Sequence, residues 1–246
     1  MLMINNKIIK NAVKIKAFFL DLFFPISCLI CNVEGKWLCP ECLARVELPN
    51  SQYCFNCRQK NSRGEICSNC QPKYYFDGVW AFGSYEDALI AKLVKNLKYR
   101  FIKDLSEILG EMLTILMLDL FDKKLLYNNF SQSLIMPVPL HKKRLRWRGF
   151  NQSELLAKGI KKYFNLDLRL DELIRTKHKK PQTKLSGRKR KENVKGCFFW
   201  KGDWLDGKNI ILVDDVITTG STLNECAKVL KENGAGEVWG LVVARG

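Results

Sequence analysis

Two adjacent carboxylates, Asp214 and Asp215, end the apolar run Ile210–Val213 and precede Thr218, Thr219, Gly220, Ser221 and Thr222. The apolar run has the length and branching of a buried strand. From Leu223 the spacing becomes helical, with Leu223, Ala227 and Leu230 on one face and Gly234 closing the helix. Strand, polar loop and helix start together make an anion site, because free backbone N–H groups and the positive helix end face a phosphate. The four hydroxyls add neutral donors. Asp214 and Asp215 would repel a phosphate, but carboxylates accept hydrogen bonds from paired sugar hydroxyls. A ribose 5-phosphate with free 2- and 3-hydroxyls suits both halves.

A second anion site is expected after the short strand Leu134–Met136, which Pro137 and Pro139 stop. The segment Leu140, His141, Lys142, Lys143, Arg144, Leu145, Arg146, Trp147, Arg148, Gly149, Phe150 carries five Lys/Arg and no acid. It reads as a loop before a helix capped by Asn151 or Ser153, with Leu155, Leu156 and Ile160 as its apolar residues. Charge of this density suits pyrophosphate. A further run, Arg175 to Lys191, holds nine Lys/Arg and no acid: Arg175, Lys177, Lys179, Lys180, Lys184, Arg188, Lys189, Arg190 and Lys191. Few apolar residues and one Pro make it a mobile loop. Trp147 and Phe150 stand among the cations of the first run, where rings can stack on bases. No role falls to His141 or His178.

Eight of the ten cysteines form four C-x-x-C pairs: Cys28/Cys31, Cys39/Cys42, Cys54/Cys57 and Cys67/Cys70. Each pair can present two thiolates to one metal, and two pairs complete a tetrahedral Zn²⁺ site. The short first and third spacers suit sequential ribbons, Cys28–Cys42 on one structural ion and Cys54–Cys70 on a second. A cross-brace of alternating pairs is the other possibility. The segment has few apolar residues, so metal supplies much of its folding energy.

The elements that must position these groups fit a chain of 246 residues, 47% hydrophobic and 27% charged. That is room for a small module and one ordinary domain. The net charge of +16 points to phosphate-rich partners, nucleic acid or acidic membrane surfaces. No export signal is evident, so a reducing cytoplasm is expected, which favours metal-bound thiols over disulfides. No apolar run is long enough for a transmembrane helix. Residues 1–24 read as an amphipathic helix, with Lys7, Lys10, Lys14 and Asp21 opposite Ile8, Ile9, Ala12, Phe19, Leu20 and Phe23. We prefer packing on its own domain for that apolar face; the alternative is a partner-binding helix or a peripheral position at the inner membrane. Residues 77–86 read as a strand or hairpin, and two helices follow, from about Glu86 and from about Asp104 to Phe121. Strands and helices alternate from residue 134 onward, so an α/β fold with a mostly parallel sheet and flanking helices is expected, with ligands at its carboxyl edge. The expected division is an N-terminal helix over 1–24, a double zinc ribbon over 25–74 and the α/β domain over 75–246.

The acid pair and loop resemble the phosphoribosyl pyrophosphate (PRPP) signature of type I phosphoribosyltransferases. The cysteine pairs together with Leu97-Lys98-Tyr99, Pro137 to His141, Arg148 to Gln152, Pro181-Gln182, Leu185-Ser186, Asn193 to Gly196 and Val213 to Gly220 resemble the ComF (ComFC) competence family over nearly the whole chain. The resemblance implies a zinc-ribbon module on a type I phosphoribosyltransferase-like domain, and a cytoplasmic role in natural transformation that handles single-stranded DNA. It carries Asp214–Thr222 over as the Mg²⁺-dependent PRPP loop, Leu140–Phe150 as the pyrophosphate loop and Arg175–Lys191 as a closing loop. One position departs. Enzymes acting on 6-oxopurines carry a carboxylate three places after the second acid, and here Thr218 stands there. Thr cannot serve as that base.

Three functions follow. One is an enzyme transferring ribose 5-phosphate to an unidentified acceptor. The second is a module that binds PRPP and single-stranded DNA. The third is an adaptor that recruits DNA uptake or recombination proteins.

Overall fold

The computed structural model describes residues 25–123, 132–177 and 193–246. The expected helix over 1–24 and the basic positions Lys179, Lys180, Lys184, Arg188, Lys189, Arg190 and Lys191 lie outside the described residues. The chain divides into two compact units, one ending at Glu47 and one running Leu48–Gly246. This boundary falls between the second and third cysteine pairs.

The first unit is organised by Cys28, Cys31, Cys39 and Cys42 and contains the single-turn helix α1 (Pro40–Leu43). The second unit opens with the hairpin β1 (Gln52–Tyr53) and β2 (Lys60–Asn61) around the second cysteine set. Then come β3 (Gly78–Ser84), α2 (Ala88–Tyr99), α3 (Leu105–Asp122), β4 (Leu134–Pro137), α4 (Lys142–Arg148) and α5 (Gln152–Lys161). The chain continues through β5 (Asp167–Leu168), β6 (Leu173–Arg175), β7 (Phe198–Trp200), β8 (Ile210–Ile217), α6 (Ser221–Glu232) and β9 (Val238–Arg245).

Five strands form one sheet in the order β3-β9-β8-β4-β5, and every pairing is parallel. Parallel strands buried on both faces read as unbroken apolar runs, and β9 buries seven of its eight residues. From β4 the chain moves outward to β5; from β8 it moves the other way to β9. The neighbours β4 and β8 therefore part at a switch point, where the carboxyl ends of the strands leave a crevice. Leu223, Cys226, Ala227 and Leu230 of α6 pack with Ile210 and Leu212. Helices α3 and α5 cross where Gly110 and Gly159 meet, so close that a Cβ on Gly159 would lie 3.4 Å from the Gly110 Cα.

Beside the parallel sheet, β7 pairs antiparallel with β6 in a separate two-stranded piece. Two expectations change. The acids do not end their strand, since β8 continues to Ile217 along β9. The basic segment read as a loop is the two-turn helix α4. His141 caps its start, its Nδ1 accepting from the Lys143 N–H at 3.1 Å, and Gly149 at φ +80° ends it.

Strand β3 lies at the edge of the sheet, where unpaired backbone groups invite association. The second cysteine hairpin covers it. The Gln52 side-chain amide accepts from Ala81 N at 3.2 Å and donates to Ala81 O at 3.5 Å. Val79 N donates to Gly64 O at 2.9 Å, and Trp80 Nε1 donates to Arg63 O at 2.8 Å.

Candidate functional site

The ladder between β4 and β8 stops at Pro137 opposite Val213, while β8 stays paired with β9 as far as Ile217. From Asp214 on, the β4-facing side of β8 is released and a cleft of about 560 Å³ opens. Asp214, Asp215 and Thr222 line it from β8 and α6; Lys143, Arg144, Trp147 and Arg148 from α4; Lys98 and Tyr99 from the end of α2; and Arg175 from β6.

A short relay of hydrogen bonds holds the first acid. Asn151 Nδ2 donates to Val138 O at 3.2 Å, and its Oδ1 accepts from Ser153 N, so one side chain joins the end of β4 to the start of α5. Ser153 Oγ then donates to Asp214 Oδ1 at 2.8 Å. Burial, and next the neighbouring Asp215, push the Asp214 carboxyl up to about 7. Asp215 is 2% exposed and pairs with Lys98 Nζ at 2.9 Å. Burial alone would lower the Lys98 ammonium, but Asp215 and Asp214 outweigh it and raise its pKa.

Arginines line the same cleft as the acids. Arg148 donates to Gln152 Oε1, and Arg175 sits with its guanidinium 5.4 Å from the Phe198 ring centre. Burial lowers the pKa of both. The Nε of each is buried without a protein partner. Desolvated guanidinium donors left unmatched beside a cleft are suited to an incoming anion.

The hydroxyl run divides. Thr222 faces the cleft, whereas Thr219 and Ser221 line a separate pocket and share a hydrogen bond of 2.8 Å. Thr218 is exposed. Gly220 stands at φ +68°, and a Cβ there would lie 2.7 Å from the Phe55 ring of the second cysteine hairpin. Both facts require glycine. Arg245, at the end of β9, fixes that hairpin by donating to Cys54 O at 3.1 Å and to Phe55 O at 2.6 Å.

The stacking candidates separate as well. Trp147 is 63% exposed, with its ring 5.1 Å from that of Phe101 in a T-shaped pair. Phe150 is buried beneath Lys103, so it presents no face to a base; it follows the glycine that turns the chain inward. Leu140, Lys143, Arg144 and Arg148 reach the cleft, while Lys142 and Arg146 are exposed and His141 serves as a cap. Lys177 is exposed beside Gly196. Lys98, Ser153 and Gln152 also belong to the site, although the sequence assigns no ligand role to any of them.

The cysteines group sequentially. In each set the four Sγ atoms lie within 4.8 Å of one another. Cys31 and Cys39 Sγ are 3.5 Å apart, and Cys57 and Cys67 Sγ 3.6 Å. Tetrahedral Zn–S bonds of ~2.3 Å place sulfurs ~3.8 Å apart, so both donor sets fit zinc. The knuckles share one turn. Asn32 N donates to Cys28 O and Arg58 N to Cys54 O, while Cys28 N donates to Val33 O and Cys54 N to Gln59 O. Asn32 and Arg58 both take positive φ. Asn56 Nδ2 and Cys67 N donate to Cys70 and Cys54 Sγ, as thiolates require.

The parallel sheet, its cleft at the switch point and the two cysteine tetrads define a phosphoribosyltransferase-type domain carrying zinc ribbons. Family models agree: a double zinc ribbon domain matches residues 19–71 and a phosphoribosyl transferase domain matches residues 151–245. Competence protein F of Haemophilus influenzae is 30% identical over 90% of this chain and 99% of its own length. The chain belongs to that competence protein F (ComFC) family. DNA utilization protein YhgH of Escherichia coli is 29% identical over 89% of this chain and 97% of its own. Competence protein ComFC of Bacillus subtilis is 39% identical over 41% of this chain and 39% of its own. Among described residues, no helix is long and apolar enough to cross a membrane.

Proposed function

We propose that this chain is a cytoplasmic competence protein that binds PRPP and single-stranded DNA and so links DNA uptake to later processing. The observation that carries the PRPP half is the cleft at the switch point, lined by two carboxylates of β8 and by Arg148 and Arg175, whose Nε atoms are buried without a protein partner. Asp214 accepts from the ribose hydroxyls; Arg144, Arg148 and Arg175 face the diphosphate. Asp215, already paired with Lys98, supports the position of its neighbour. Thr222 and the start of α6 meet the 5-phosphate. Mg²⁺ bound with PRPP would offset the charge of the diphosphate, and the cleft carboxylates Asp214 and Asp215 are the protein groups that could hold it.

The DNA half is supported by the exposed Trp147 ring beside the cations of α4 and by the basic run Arg175–Lys191. The names of the relatives, competence protein and DNA utilization protein, favour the same substrate class. Calorimetry with PRPP and Mg²⁺ tests the first half: binding that disappears in Asp214→Ala/Asp215→Ala, with the far-ultraviolet spectrum unchanged, is expected. Equal affinity in that variant would reject it.

A second reading is favoured by the number of cations around one diphosphate: an active transferase. Lysine and arginine charge would stabilise the leaving pyrophosphate as the ribose C–O bond breaks and the acceptor adds at the anomeric carbon. Thr218 supplies no carboxylate base, so the acceptor is not activated as a 6-oxopurine would be. Pyrophosphate release with bases, nucleotides or DNA as acceptors separates this reading from binding alone.

A further inference from the structure

On the far side of the Thr219–Ser221 turn from the cleft lies a pocket of about 320 Å³ that the reading above leaves unused. Three lysines reach it from three stretches: Lys73 just after the second cysteine set, Lys195 before β7 and Lys228 on α6. Thr219 and Ser221 also line it, their hydroxyls 2.8 Å apart. Tyr75, 46% exposed, lines it too, with Lys228 Nζ 5.9 Å from its ring centre. The Tyr75 N–H donates to Asn224 Oδ1 at 2.7 Å, which ties Tyr75 to α6. The pocket's carboxylate, Glu225, is engaged by the Gly196 N–H at 2.6 Å. Lys228 has a second carboxylate, Glu232, only at 3.7 Å.

We propose that this pocket holds a phosphate of a single strand of nucleic acid, with the adjoining base laid on Tyr75. Three cations against one engaged carboxylate, with hydroxyl donors between them, recognise a phosphodiester as a point of charge. A flat exposed ring beside them recognises a base of any identity. Free nucleotides share this chemistry, but a strand has a further reason to bind here. The pocket abuts the turn whose next residue, Thr222, lines the cleft, so a strand seated in it passes the lip of the PRPP site. The inference rests on the DNA-binding half of the proposed function and is independent of the PRPP half.

The test uses the full-length, zinc-loaded protein and fluorescence anisotropy with labelled oligothymidine over a range of salt. Lys73→Ala/Lys195→Ala/Lys228→Ala should weaken binding by about tenfold or more and flatten the log–log salt slope by about 0.7 for each phosphate no longer neutralised. PRPP affinity should not change. The triple Lys→Arg variant should restore the slope, and Tyr75→Ala should weaken binding at constant slope. Unchanged oligothymidine affinity in the triple Ala variant overturns the proposal and leaves DNA binding elsewhere intact. Lost PRPP affinity in that variant assigns the pocket to PRPP and overturns it too. Thymidine monophosphate binding as tightly as the oligonucleotide makes it a mononucleotide site and overturns the strand. A wild-type protein that does not bind oligothymidine overturns both this proposal and the reading beneath it.

Discussion

Lys98 Nζ lies 2.9 Å from Asp215 Oδ2, in a setting where the carboxylate is almost wholly shut away from water. The pair joins the last turn of α2 to the middle of β8. It also makes the two adjacent acids unlike. Asp215 has a cation in contact, whereas Asp214 is held by a serine hydroxyl and feels its neighbour's charge. Two carboxylates with opposed environments serve different roles.

Removing the cation alone should be costly. Lys98→Met leaves a buried charge unpaired, a change worth about 3 to 5 kcal/mol. Urea melts should show that loss, and Lys98→Met/Asp215→Leu should recover much of it. A single variant as stable as the parent would show that the pair contributes nothing.

Stability and ligand affinity should run in opposite directions with pH. The Asp214 carboxyl is raised from 3.8 to about 7 in the fold, so between these values the folded state binds more protons than the unfolded one. The contribution of Asp214 to stability is therefore full below about pH 4 and falls as pH rises towards 7. In the proposed site the ribose of PRPP takes the carboxylate as acceptor, so PRPP affinity should rise through about pH 7. Asp214→Asn should reduce the slope of both quantities between pH 4 and 7 by the share that Asp214 contributes, measured by thermal melts and calorimetry.

The two zinc sites should differ in what they support. Cys39→Ser and Cys54→Ser are each expected to release one of two zinc ions, counted by elemental analysis. Only Cys54→Ser should weaken PRPP binding, because Phe55 lies against Gly220 at the turn before α6. An equal effect of both substitutions on PRPP would refute the link.

Trp147→Ala should weaken oligothymidine binding by about 1 to 3 kcal/mol, the range for one stacked base, with the salt slope preserved. Phe150→Leu, at a buried position, should leave DNA affinity unchanged. Anisotropy measures both; an exchange of the two effects would mean that the helix α4 is displaced when DNA binds.

What is legible in the sequence is whatever the chemistry keeps local. The cysteine pairs and Asp214–Thr222 carry ligand and loop within a few residues, and the expected strand, turn and helix form there. Lys98 has no legible role, since its partner is remote in sequence and a lysine at a helix end is ordinarily solvated. Helix α4 reads as a loop because its five cations hide the period of its two apolar residues, Leu145 and Trp147. Gly149 after a run of helix formers is the available signal. The burial of Phe150 follows from that same glycine turn. The position of β3 beside β9 depends on pairings that no local pattern encodes.

The Gln52 amide that occupies the backbone of Ala81 sets where this chain can be cut. A fragment begun at residue 75 would keep every strand of the main sheet, yet it would lose Gln52 and Gly64 and bare the N–H groups of Val79 and Ala81 along an outer strand. Such an edge recruits another copy of itself. It would also lose Phe55 from behind Gly220. The shortest self-sufficient piece containing the switch-point cleft therefore starts ahead of Gln52 and carries the second cysteine tetrad, which makes the second ribbon an outer wall of the phosphoribosyltransferase-type domain rather than an appendage to it.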